Sequence, residues 1–321
     1  VTVRYGITFP FDGIPLPEQR SVVQSLPDLG YTDLWSAESN STDAFTPLAL
    51  ASVWAPSLRL GTAIVPVYTR GPATLAVSAS TLAAAAPGRF ALGVGSSSDV
   101  IVERWNAASF EAPYQRVRDT VRFLRTAMTG EKVKEKYETF AVDGFRLANP
   151  PAQPPAILVA ALRSGMLRLA GTAADGAIVN WLSPSDVQTV APYVRDQDPD
   201  KEIVARIFVI PTANRDHARA VARFVMAAYL TVPVYRAFHE WLGRREQLLP
   251  MQQAWAAGDR KGALGLIPDE VVDDLVIHGE PASCREQVLA YVEAGVTTPV
   301  IALLPAGIEP PVAVRELAPV Q

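Results

Sequence analysis

The chain has 321 residues, 49% of them apolar and 19% charged, with a net charge of -4. That balance supplies a large core and excludes a disordered chain, which needs low hydrophobicity and high net charge. A net negative sequence without a Lys/Arg block argues against nucleic acid as a partner, and a single cysteine, Cys284, excludes an internal disulfide.

Arg4–Phe9 reads as a strand, Glu18–Leu29 as a helix ended by Gly30, and Thr32–Ala37 as the next strand. A polar loop, Glu38–Asp43, leads to a helix from about Pro47 to Ala55. Leu58–Pro66 is a third strand, Thr74–Ala86 a helix of small residues ended by Pro87-Gly88, and Phe90–Val94 a fourth strand. Further strands at Ala156–Ala160, Ala177–Trp181, Ile203–Ile210 and Pro299–Leu304 bring the count to eight. Such alternation predicts parallel strands joined by right-handed crossovers, and eight is the number that closes a (β/α)8 TIM barrel. A recurring helix-glycine-strand corner (Leu29-Gly-Tyr-Thr-Asp-Leu-Trp35, Ala294-Gly-Val-Thr-Thr-Pro-Val-Ile301 and, more loosely, Ala174–Val179) favours one barrel domain over 1–321 rather than two domains.

Two stretches exceed a minimal barrel and read as insertions. About 130–155 holds a charged run, Glu131–Lys136, and then Phe140–Arg146, which predicts a hairpin with an Asp-Gly turn. About 232–274 carries long helical patterns with Trp241, Trp255 and a break at Pro250. On the helix around residues 114–128, Arg116, Arg118, Arg122 and Arg125 lie opposite Tyr114, Val117, Val121, Leu124 and Met128, and read as a solvated face. The longest apolar runs, such as Ala156–Leu162, are too short to span a bilayer, and no leader pattern is visible. The expectation is a soluble, cytoplasmic protein acting on a small molecule. His217, His239 and His278 are widely spaced, which suits surface or structural roles and no metal site. Cys284 sits at a helix start.

In a barrel, functional groups come from the loops after the strands. Gly93-Val-Gly-Ser-Ser-Ser-Asp99 is a glycine-rich turn that can bring backbone N–H groups to an anion or a flat ring, or can be an ordinary corner; it lacks the third glycine of a dinucleotide fingerprint. Ala160-Ala-Leu-Arg-Ser-Gly165 runs from a strand into a helix near Met166. There an arginine and free helix-terminal amides favour a phosphate, the alternative being Ser164 as an N-cap with Arg163 solvated. Glu38 follows a strand end and has either a chemical task or an ion pair with a neighbouring loop.

Together these segments resemble the luciferase-like monooxygenase superfamily, specifically its branch using the deazaflavin coenzyme F420. The resemblance rests on Gly30–Glu38, Leu60–Pro72, Pro87-Gly-Arg-Phe-Ala-Leu-Gly-Val-Gly95, Ala160–Ala170 followed by Ala174-Asp-Gly176, and Tyr291–Val296, in family order across almost the whole chain. It implies an insertion-bearing barrel holding the ring at its C-terminal mouth, with a non-prolyl cis peptide in strand 3, placed at Ala63–Ile64. It implies cofactor contacts from Ala63, Ile64, Ser96, Ser97, Ser98, Leu162, Arg163, Gly165 and Met166, catalytic roles for Glu38 and Ser39, and a homodimer. The sequence departs from the family at Ser39, where a histidine is common, at Gly71 in the third-strand motif, and at Arg163, where a small residue is common. Serine is a poor acid, which counts against sugar-phosphate dehydrogenase chemistry relying on that histidine. The resemblance leaves two alternatives: an FMN-dependent monooxygenase and an F420-binding carrier without turnover.

Overall fold

The computed structural model describes residues 3–319. Its strands are β1 (Gly6–Thr8), β2 (Asp33–Ser36), β3 (Arg59–Thr62), β4 (Val65–Pro66), β5 (Phe90–Gly95), β6 (Val133–Lys136), β7 (Ala141–Phe145), β8 (Ala156–Ala160), β9 (Gly176–Asn180), β10 (Glu202–Ile210), β11 (Val276–His278) and β12 (Thr298–Leu303). Parallel pairing runs β1–β2–β3–β5–β8–β9–β10–β12 and returns to β1, a closed barrel whose third position is shared by β3 and β4. Each strand expected from the apolar runs occupies one of these eight positions.

Many of the 27 prolines mark helix starts. Pro47, Pro72, Pro113, Pro184, Pro233, Pro281 and Pro310 each stand in a first turn, where the missing N–H is not needed. Pro27 acts the other way. It shortens the helix expected over 18–29 to a 3-10 turn at Leu16–Gln19 followed by Arg20–Ser25, because a proline can neither donate to the preceding turn nor fit against it.

Both insertions pack onto the barrel, with one correction. The hairpin pairs β6 with β7, so the charged run is a strand and the loop is Glu138-Thr139. Asp143-Gly144 lies inside β7 at a register shift, with Gly144 at φ +82°. Asp-Gly served a β-bulge, which needs the same left-handed conformation as the expected turn. The arginine face stays largely exposed, as expected, but its side chains are also paired. Arg118 meets Glu138 at 2.7 Å, Arg122 meets Glu135 at 2.7 Å, and Arg125 meets Asp175 at 2.7 Å. Arg116 donates to the Thr139 carbonyl at 3.2 Å and lies 4.8 Å from the Phe140 ring. The second insertion folds as helices Pro233–Trp241, Arg245–Ala256, Arg260–Gly265 and Asp269–Leu275, followed by β11, which pairs with the end of β10. Neither β11 nor the π-helical segment Val100–Trp105 was visible in the sequence pattern.

Alternate residues of each barrel strand face inward, in layers. The floor is polar: Arg59 grips Glu202 through two bonds of 2.6 and 2.8 Å and reaches Asp33 at 3.3 Å, while Thr298 donates to Glu202 at 2.8 Å. Burial pushes the Asp33 carboxyl up despite Arg59, whereas the bonds to Arg59 and Thr298 hold Glu202 down against its own burial. Above the floor, Trp35 packs with Ala91, Leu158, Ile178, Val204 and Val300. The indole occupies space that Gly6 and Gly61 leave free, since a Cβ there would lie 2.9 and 2.3 Å from it. The next inward layer is Thr8, Ala37, Ala63, Gly95, Ala160, Asn180, Arg206 and Ala302. Five of these eight are alanine or glycine, so the barrel cannot fill itself above Trp35.

Candidate functional site

That shortage of side chain opens a cavity of about 1310 Å³ at the C-terminal ends of the strands. Every site residue expected from the sequence lines it: Glu38, Ser39, Ala63, Ile64, Ser96, Ser97, Ser98, Leu162, Arg163, Gly165 and Met166.

One wall is an irregularity in the third strand. Gly61 pairs with Ala91, but Val65 pairs with Val94, so β3–β4 carries one residue more than β5 across the same span. The extra length falls at Ala63–Ile64, and the peptide bond between them is cis. Thr62 stands in for the interrupted ladder: its Oγ1 accepts from the Gly93 amide at 2.8 Å and donates to the Gly93 carbonyl at 2.9 Å. A Cβ on Gly93 would sit 1.9 Å from the Thr62 carbonyl, so this part of the glycine-rich turn is required by the bulge. Beyond it, Ser97 has φ +63°, a conformation costly for a non-glycine residue and frequent at ligand sites.

Glu38 is fixed from three sides. Arg70 donates to its carboxylate through Nε at 3.1 and 3.0 Å and Nη2 at 2.7 Å, Thr69 adds a bond of 3.3 Å, and the Ala44 amide one of 3.4 Å. Of the two readings of this residue, the structure contains the ion pair with a neighbouring loop. Ser39 follows it, exposed at the cavity rim.

The third expected place is the start of helix Ser164–Ala173. Its N-cap is Arg163, in extended conformation, with no side-chain cap; Ser164 is inside the helix, so the N-cap reading of that serine is set aside. The amides of Ser164, Gly165 and Met166 therefore lack intrahelical acceptors and carry the positive end of the helix dipole beside the Arg163 guanidinium. Apart from its chain neighbours and its own helix backbone, nothing lies within 4 Å of a Cβ built on Gly165, so no other element covers this face of the helix start.

Sequence reasoning missed the polar groups inside the mouth. Thr8, Asn180 and Arg206 line the cavity, and Thr8 Oγ1, Asn180 Oδ1 and Arg206 Nε are buried atoms with no hydrogen-bond partner among the described residues. A signal for Arg206 existed: it is the sole charge inside the apolar run Ile203–Ile210, and its spacing from Glu202 and Val204 puts it on the inward face. Tyr235, from the second insertion, also lines the cavity and accepts a bond from Asn180 Nδ2 at 3.3 Å. Trp105 and Trp241 line the rim, whereas Trp181 turns away to stack on Phe208 at 3.8 Å.

The histidines stand apart from this lining. His217 is exposed, His278 bonds Asp273 at 2.9 Å, and His239 is fully buried with neither ring nitrogen partnered. Cys284 is buried, which pushes its thiol up to about 12. Among the described residues no group of three or more His, Cys, Asp and Glu side chains is arranged to hold a metal ion.

The family model for luciferase-like monooxygenases matches residues 3–298. A 5,10-methylenetetrahydromethanopterin reductase of Archaeoglobus fulgidus is 27% identical over 92% of this chain and 92% of its own. An F420-dependent glucose-6-phosphate dehydrogenase of Kineococcus radiotolerans is 26% identical, over 79% of this chain and 76% of its own. Among solved structures, an F420-dependent secondary alcohol dehydrogenase in complex with an F420–acetone adduct superposes with a TM-score of 0.79 at 15% identity, covering 99% and 98% of the two chains. The FMN-bound oxygenating constituent of 3,6-diketocamphane monooxygenase of Pseudomonas putida gives 0.66 at 16% identity, over 99% and 97%. At these identities the structural likeness is one of fold.

Proposed function

The chain belongs to the luciferase-like monooxygenase family, and from that premise we propose that it is a coenzyme F420-dependent oxidoreductase acting on a small organic substrate. The observation that carries the reading is the cavity itself: a mouth floored by small side chains, lined by three residues that each hold a partnerless buried polar atom and by an uncapped helix terminus. Buried polar groups without partners are costly, so a site that keeps three of them is shaped for a polar ligand. The F420-dependent relative at 26% identity supports the choice of deazaflavin.

In this reading Arg163 and the amides of Ser164, Gly165 and Met166 hold the cofactor phosphate, where charge, dipole and free donors converge. Ala63 and Ile64 back the ring system, with Ser96, Ser97 and Ser98 beside it and Leu162 completing the wall. A deazaflavin, when bound, supplies a ring carbon able to accept or donate a hydride. Glu38, held by Arg70, keeps the loop after β2 in place over the cavity, and Ser39 offers the hydroxyl that polarises the substrate. The cavity excludes water and orients the reactants, which is the protein's share of the work in a cofactor enzyme. We further propose that residues 1–321 act as one domain, in a cytoplasmic homodimer. Among the described residues no helix is long and apolar enough to cross a membrane.

The test is a titration of the purified protein with F420 and, separately, FMN, followed by tryptophan fluorescence. Micromolar binding of F420 with much weaker binding of FMN is expected. Preference for FMN would move the protein to the monooxygenase branch. Tight F420 binding without turnover against alcohols, aldehydes and unsaturated carbonyl compounds would favour the carrier reading, which Ser39 in place of the common histidine also favours. Binding of neither cofactor would overturn the proposal.

A further inference from the structure

We propose that Arg206 anchors an anionic oxygen group of the substrate, and that the substrate is an apolar monocarboxylate. The assignment rests on the reading of the cavity as the site for F420 and substrate.

Arg206 lies on the seventh of the eight barrel positions, and Ala63–Ile64 on the third. In a closed ring of eight, these positions face one another across the mouth. A flat group resting on the Ala63–Ile64 wall therefore presents its other face toward Arg206, and a substrate between them has that guanidinium within reach.

The guanidinium is uncommitted. Among the described residues the Arg206 side chain makes no hydrogen bond and has no carboxylate within 4.0 Å, and its guanidinium carbon lies 4.9 Å from the Phe208 ring. The charged lining residues besides Arg206 are Asp12, Glu38, Arg163 and Glu309. Glu38 is taken by Arg70, and Arg163 stands at the helix terminus assigned to phosphate. A part-buried cation without a counter-charge is unfavourable in the unliganded protein, and a ligand carboxylate is the group that its planar fork fits.

A second donor stands beside it. Tyr235 accepts from Asn180, the cross-strand neighbour of Arg206, which leaves its own O–H hydrogen free. Burial raises the phenol far above its ordinary range, and Arg206 is near enough to oppose that shift, so Tyr235 remains a neutral donor close to the guanidinium. The segment leading to Tyr235 adds apolar and aromatic lining, Tyr229, Val232 and Val234. One cation and one hydroxyl in such a wall suit a single carboxylate on an apolar body better than a polyanion.

The test uses benzoate as the probe and benzamide, its neutral counterpart of the same shape, as the control. Isothermal titration is run on the full chain with and without F420, and F420 itself is titrated into each variant. Benzoate should bind, with benzamide at least about tenfold weaker, and Arg206→Met should weaken benzoate by roughly 10- to 150-fold while leaving F420 affinity within about twofold. Arg163→Met should leave benzoate binding unchanged. Because the Arg206 side chain makes no hydrogen bond or ion pair among the described residues, Arg206→Met should unfold at or above the temperature of the parent. Arg206→Lys, which keeps the charge without the fork, provides a second variant and should fall between the two.

Failure of benzoate to bind, equal binding of benzamide, or retention of benzoate by Arg206→Met would overturn the proposal. Loss of F420 affinity in Arg206→Met would also overturn it, by placing the residue in the cofactor pocket. If F420 fails to bind the parent while benzoate still depends on Arg206, the cofactor reading falls and the anion anchor stands.

Discussion

The amide of Glu38 donates a hydrogen bond of 3.1 Å to the carbonyl oxygen of Ile64. The bond ties the loop after β2 to the bulge that interrupts the third strand. Nearby, the Ala63 amide donates to Ser36 at 2.6 Å, so the two strand ends are stitched where the cavity begins. The carboxylate of Glu38 then reaches outward to Arg70 and the Ala44 amide, which links the bulge, the polar loop and the start of the next helix into one unit.

Arg70→Met isolates the outer half of that unit. The half-buried Glu38 carboxylate would lose its counter-ion, at a cost of about 1–3 kcal/mol. Amide exchange at Ser39–Ala44 should accelerate while exchange in β2 stays slow. Unchanged protection of the loop would mean that the ion pair does not hold it.

The proposed phosphate corner is tested by Arg163→Ala. Removing one charge-assisted partner should weaken F420 by roughly 1.5–3 kcal/mol, read from the fluorescence titration. Arg163 is exposed and makes no ion pair among the described residues, so its removal should leave the unfolding midpoint unchanged. Equal F420 affinity in parent and variant would remove Arg163 from the site.

At the barrel floor, Arg59→Met would strand the Glu202 carboxylate and leave Asp33 only its 3.4 Å ion pair with Arg4 beneath Trp35. Leaving buried charge uncompensated should destabilise the protein by about 3–5 kcal/mol in urea denaturation. Replacing Glu202 by Gln in the same background should recover part of the loss, because the stranded charge is then gone. A single variant no less stable than the parent would show that the floor ion pairs are dispensable.

Trp35 and Gly61 form a complementary pair. Gly61→Ala places a methyl 2.3 Å from the indole carbons, and overpacking of this kind costs about 1–3 kcal/mol. The indole must shift, and the direction open to it is the cavity above. Both the unfolding midpoint and F420 affinity should fall together.

His239 makes stability depend on pH. Burial, reinforced by the nearby Arg244 charge, lowers the imidazole from 6.5 to about 3. Between those values the unfolded chain binds a proton that the folded protein does not. Stability is therefore complete above pH 6.5 and falls with acidification through the window, with a limiting slope of about 1.4 kcal/mol per pH unit. His239→Phe removes the titration, so parent and variant should diverge in urea curves as pH falls from 7 to 5, the variant being favoured. Parallel curves would mean that the buried ring protonates without resistance.

The sequence by itself determined the order and number of barrel strands, because apolar runs separated by helical patterns specify a parallel barrel without reference to partners. Residue chemistry also picked out Glu38, the turn that holds Ser96–Ser98 and the Arg163–Met166 corner, and the family resemblance added Ala63–Ile64; all are local segments at strand ends, and the structure brings them to one mouth. Local chemistry was read correctly even where its use was not: Asp143-Gly144 was recognised as a left-handed site, but partner strand register made it a bulge. Other decisions belonged to tertiary contact alone. Whether the helix arginines found partners depended on a hairpin that folds back to meet them. Whether Glu38 was free depended on Arg70, thirty-two residues away. The partnerless set of Thr8, Asn180 and Arg206 comes from three strands spread from one end of the chain to its middle. A polar atom's lack of a partner is a property of everything packed around it, so only closure of the barrel could bring those three residues to one cavity.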